Sequence, residues 1–214
     1  MAERRKRNEP KRQQSSNPGP SSQGRRGTVE TTVRPSEATG REAAMLRVLC
    51  DVLSRMSRTP AGKPLDVNPL LRTVGEAVDT DRVYIFRLRI DENTNRRYAT
   101  LLYEWSHKNV TPQIDNPEMT DAPFDEMPVE VIRKLGNGES VVMFRDEVEG
   151  FAREQMDKQE IQSLIFAPIR LEHGLWGFAG FDHCREVRHW TEAERDTLTT
   201  FAGALGIAAN CNQL

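Results

Sequence analysis

The 214 residues are 37% hydrophobic and 29% charged, with a net charge of −2; so low an apolar fraction predicts that part of the chain lacks the surface to build a core. The charge is uneven: residues 1–40 carry nine Lys/Arg against four Asp/Glu (net +5), and the remainder 21 against 28 (net −7). No apolar run approaches the ~18 residues of a membrane span, and no apolar segment of a signal peptide follows the basic start "ERRKR". The three cysteines, Cys50, Cys184 and Cys211, form neither a disulfide framework nor a CxxC pair, so a reducing, cytoplasmic setting is expected.

Residues 1–40, with "QQSSNPGPSSQGRRG" at their centre, read as a disordered basic tail. No aromatic residue stands among the basic ones to stack on bases, so nucleic acid is not an expected partner; neither is a membrane. Residues 41–60 read as an N-terminal helix and linker. Met45, Val48, Leu49, Val52 and Met56 fall at helical spacing. Leu46 and Leu53 widen that stripe until it can serve two surfaces. "TPAGKP" at 59–64 ends the helix.

The folded domain is expected over 61–211. A helix fits 66–78, with Asp66 as its candidate N-cap. The period then changes to that of strands: "RVYIFRLRI" (82–90), the turn "DENTN", and "RYATLLYEW" (97–105). Residues 106–127 are polar and proline-bearing and read as a long loop, a length that often signals function. A helix over 128–135, a strand over 140–144 and a helix over 148–160 follow. Two strong strands, 162–171 and 175–183, flank the turn "EHG", and apolar residues fill both phases of the first, which leaves its faces undecided. Gly177 and Gly180 read as close packing or a bulge. Thr191 and Glu194 have capping-box spacing and start a final helix. The sum is α+β: a central antiparallel sheet of five to six strands, with the N- and C-terminal helices on one face and short helices and loops on the other.

The stretch "SLIFAPIRLEHGLWGFAGFDHCREVRHWTEAE" resembles a GAF domain, a PAS-like sensory fold, in the form found in bacterial signalling proteins; "VGEAVDTDRVYIFRL" and "YEW" resemble that family's first strands. The resemblance covers about residues 66–210. It implies a pocket on the sheet face opposite the terminal helices, binding of a small molecule, dimerisation, and a signal passed to an effector, a kinase or cyclase outside this chain.

The residues narrow the chemistry. Methionine sulfoxide reductases of this family cluster several cysteines at the pocket; here Cys50 and Cys211 are placed on terminal helices, away from Cys184. Bilin-binding relatives carry a Cys, often followed by His, in the helix over the pocket, and 148–160 has neither. Haem needs an axial histidine, and His107, alone in a loop, reads as solvated. "FDHCREVRHWT" (181–191) gathers His183, Cys184 and His189 but no fourth ligand at a zinc spacing. No cofactor, metal or catalytic residue is therefore assigned. The expected pocket draws on Trp105, Phe124, Met127, Phe144, Phe151 and Met156, with His107 and Ser163 as polar groups. The expected homodimer and signalling face comprises Met45, Val52, Met56, Phe201 and Leu205, helped by the small residues of "AGALGIAA" (202–209). The leading expectation is a non-catalytic sensory domain with an unidentified small-molecule ligand. The competing ones are a ligand-free interaction module and a redox enzyme using Cys184.

Overall fold

The computed structural model describes residues 35–60, 62–211 and 213–214; most of the expected basic tail lies outside them. Five helices and six strands follow in chain order: α1 (Pro35–Arg58), α2 (Asn68–Val78), β1 (Arg82–Ile90), β2 (Arg97–Ser106), β3 (Ala122–Pro123), α3 (Val129–Asn137), β4 (Val141–Phe144), α4 (Gly150–Lys158), β5 (Ser163–Leu171), β6 (Gly174–His183) and α5 (Glu192–Asn210). The strands form one antiparallel sheet in the order β3-β2-β1-β6-β5-β4.

Strand alternation divides the apolar residues between two cores. On one face Val83 and Ile85 of β1, Ile165 of β5, and Ala179 and Phe181 of β6 pack with α1, α2 and α5. On the other, Tyr84, Leu164, Phe166 and Phe178 pack with residues of α3, α4 and the 106–127 segment. Both phases of β5 are apolar because both of its faces are covered.

Several local expectations change. α1 begins at Pro35 rather than 41; proline suits a first helical position, where its missing N–H would have no helical partner in any case. Asp66 does not cap α2. Val67 holds that position with no side-chain cap, and its carbonyl accepts the Leu70 and Leu71 N–H groups. The 106–127 loop contains 3-10 turns at 117–119 and 124–126, and β3, which pairs with β2. The first turn is entered by Asn116, whose side chain accepts the Glu118 N–H. Thr191 and Glu194 do form a capping box at α5.

The expected dimer residues are occupied elsewhere. Met45, Val52, Met56, Phe201 and Leu205 are all buried in the chain's own helix-side core. The small residues of α5 serve a helix-on-sheet contact. A Cβ on Gly206 would stand 2.5 Å from the Arg170 carbonyl of β5. The exposed side of α1 carries a different set, which includes Ala43, Leu46, Cys50, Leu53 and Ser57. The 3-4-3-4 spacing of these five is that of a coiled-coil seam.

Candidate functional site

A cavity of about 80 Å³ lies between the sheet and α4. Tyr84 and Phe86 of β1, Phe178 of β6 and Leu164 and Phe166 of β5 form its floor; Phe151, Ala152, Gln155 and Met156 of α4, with Gln159, form a wall. Met119, Phe124 and Met127 close it from the 106–127 segment, and Met143 from β4. The α4 residues recur at helical spacing, so one face of that short helix points inward. Phe178 is the centre of the aromatic set, with ring centroids 5.2 Å from Phe86, 5.7 Å from Phe124 and 4.6 Å from Phe166.

Of the expected pocket residues, Phe124, Met127, Phe151 and Met156 line this cavity. Trp105 lies on the opposite face, against Gly75 of α2, where any Cβ would overlap its ring. His107 follows β2, its backbone N–H donating to the Asp81 carbonyl at 2.8 Å. Phe144 packs against the His189 ring at 4.9 Å. Ser163 is buried on the helix face, where its Oγ accepts the Arg188 N–H at 3.0 Å. Sequence reasoning missed Tyr84, Phe86, Phe166 and Phe178. Their signal was the alternation in β1, where Tyr84 and Phe86 share one phase and Val83 and Ile85 the other.

Tyr84 joins the cavity to a buried charge pair. Its hydroxyl donates to Asp182 Oδ1 at 2.8 Å. Arg82 Nε and Nη2 donate to Asp182 Oδ2 at 3.1 and 2.9 Å, and its Nη groups also reach the Thr111 and Gln159 carbonyls at 3.2 Å each. Arg82 and Asp182 are 1% and 0% exposed, so each charge depends on the other. Burial, then the charge of Asp182, pushes the Tyr84 hydroxyl well above its ordinary range. Burial also raises the Asp182 carboxyl, against the pull of Arg82 and Tyr84. Gly180 makes the arrangement possible, since a Cβ there would overlap the Tyr84 ring.

Asp182 is the penultimate residue of β6, and the turn that follows this strand ties three elements together. The Asp81 carboxylate accepts the Cys184 and Arg185 backbone N–H groups at 2.9 and 3.1 Å and Arg185 Nε at 2.7 Å. Burial opposes its charge, but these bonds hold the Asp81 carboxyl below its usual value. Arg188 donates to the Val78 and Asp79 carbonyls at the end of α2 and to Glu194 in the first turn of α5. His183 lies beside Arg188 and Trp190; burial, then the Arg188 charge, lowers its pKa to about 4. The Cys184 thiol packs at the edge of the cavity-side core, where burial, then the charge of Asp182, pushes it up to about 12. His183, Cys184 and His189 thus face different surroundings.

The GAF domain profile matches residues 67–209. A regulatory histidine kinase of methanogenesis, FilI from Methanothrix harundinacea, is 34% identical over 140 residues, covering 64% of this chain; the match spans only 15% of that kinase's length. Among solved structures, the phycoerythrobilin-bound GAF domain of a cyanobacterial phytochrome superposes with a TM-score of 0.63 at 17% identity, over 79% of this chain and 96% of its own. The chromophore-binding domain of a bacteriophytochrome from R. palustris does so with a TM-score of 0.63 at 12% identity, over 80% of this chain and 62% of its own. At these identities the two structures speak for the fold alone. Among the described residues, no helix is long and apolar enough to cross a membrane.

Proposed function

The chain belongs to the GAF domain family, and we propose that it is a non-catalytic sensory domain: a small molecule occupies the Phe- and Met-lined cavity, and α5 and α1 carry its occupancy to an effector. The observation behind this reading is a short path made of side-chain hydrogen bonds at both ends and the backbone of residues 182–188 between them. Tyr84, in the cavity floor, is held by Asp182. Asp182 lies near the end of β6, and the turn after that strand is tied by Arg188 to the end of α2 and to the first turn of α5. A ligand that favours one position of the Tyr84 ring therefore biases the entry of α5, which shifts the population between two arrangements.

The kinase relative makes a histidine kinase a natural effector class for this chain, in a setting read as cytoplasmic. Homodimerisation through α1 fits the exposed seam of Leu46, Cys50 and Leu53. Cys184 supports the non-catalytic reading over the redox one, because a thiol pushed up to about 12 stays protonated at neutral pH, and the thiolate is the nucleophile. The phycoerythrobilin of the cyanobacterial neighbour is not carried over. A cavity of about 80 Å³ is well below the roughly 300–1,000 Å³ of sites for larger ligands.

The test is hydrogen exchange by mass spectrometry on the whole chain and on Tyr84→Phe, which keeps the ring and removes the link. Faster exchange at 192–198 of α5 in the variant is expected. Changes confined to β1 and α4 would overturn the path.

A further inference from the structure

Among the described residues, the cavity wall contains no Lys, Arg, His, Asp or Glu. Its polar side-chain groups are the Tyr84 hydroxyl and the amides of Gln155 and Gln159. The hydroxyl already donates to Asp182. The two amides share one bond, with Gln159 Nε2 donating to Gln155 Oε1 at 3.4 Å. That leaves the Gln155 N–H₂, the second Gln159 N–H and the Gln159 carbonyl for a ligand. A carboxylate, phosphate or ammonium brought here would lose its hydration with no opposite charge to meet it, and a buried unpaired charge is strongly disfavoured. The charged pair behind Tyr84, Arg82 and Asp182, is engaged with itself, and Arg97, over the Phe124 ring, is paired with Asp125.

Size sets the second limit. A cavity of about 80 Å³ exceeds what one water needs and is about half of an engineered ~150 Å³ apolar cavity that takes up benzene. Four of the chain's seven methionines, Met119, Met127, Met143 and Met156, line it. Unbranched thioether side chains repack around a guest more readily than branched ones. The aromatic faces around Phe178 favour a flat guest.

We infer that the ligand is a small, uncharged, mainly apolar molecule of about one ring, with at most one hydrogen-bonding group, which meets the Gln155–Gln159 amides. This rests on the sensory reading for its biological sense but not for its test.

The experiment uses the whole chain labelled with ¹³C at the methionine methyls, titrated with phenol, which is neutral at pH 7, and with benzoate, the same ring carrying a charge. Phenol is expected to shift the methyls of Met119, Met127, Met143 and Met156. Met45 and Met56, in the opposite core, stay put and act as internal controls. Benzoate binds at least about tenfold more weakly. Ala152→Phe, which places a ring in the cavity, abolishes the phenol shifts; if that variant does not fold, the contrast between the two sets of methyls decides. Equal binding of benzoate, movement of Met45 and Met56 alone, or no response to millimolar phenol overturns the inference. If phenol binds but exchange at α5 is unchanged, the ligand class stands and the sensory path fails. If phenol does not bind, Tyr84→Phe still tests that path.

Discussion

His183 carries a prediction that can be read in a pH titration. Its folded pKa of about 4 lies below the ordinary 6.5, so the unfolded chain binds more protons between those values. Stability from this group is full above about pH 6.5 and is lost as pH falls toward 4. Lowering pH from 7 to 5 should cost about 2 kcal/mol, and His183→Gln should flatten that slope in denaturant titrations. Gly180→Ala would push a methyl into the Tyr84 ring; a loss of about 1–3 kcal/mol is expected, typical of overpacking, together with faster exchange at the start of α5. Arg82→Met should cost about 3–5 kcal/mol, because it strands a buried carboxylate. The sequence disclosed Gly180 as a packing glycine but not the ring it makes room for. Arg82 and Asp182 were out of reach, because they are 100 residues apart and a charged residue in a strand reads as solvent-facing.

The helices carry two tests. Thr191→Ala removes the N-cap of α5 and should cost about 1 kcal/mol, measured by thermal unfolding. The exposed seam of α1 makes a sharper claim. In a parallel two-stranded coil, a seam residue meets its own copy across the axis. Mild oxidation should therefore crosslink the chain through Cys50; Cys50→Ser should prevent this and Cys211→Ser should not. Leu53→Glu should convert dimer to monomer in sedimentation, and a monomeric wild type would sink the seam. Most strands and helices were legible from periodicity, and the α5 cap from its spacing. Which stripe of α1 faces inward was not, because both stripes are apolar and only packing chooses between them. The 3-10 turns of 106–127 also escaped, since three-residue turns have no period to detect.

At the scale of the molecule, the two-sided sheet was readable and the cavity only partly so. Its α4 and loop side was visible as aromatic and methionine residues in an irregular segment. Its sheet side was hidden because apolar residues occupy both phases of β2 and of β5, so Trp105 and Ser163 were expected on the face they turn away from. Tyr84, Phe86, Phe166 and Phe178 supply that side.

The separation of the two cores bears on how this protein can change. The helix-side core holds Val83, Ile85, Phe181, Phe201 and Leu205 with no part in the cavity, while much of the cavity wall comes from the 106–127 segment and α4. A substitution library confined to 119–127 and 151–159 should therefore yield more folded members, with altered cavities, than one confined to 198–205, as counted by a protease-resistance screen. The shape of the cavity can thus vary through residues that take no part in the core against α1, α2 and α5.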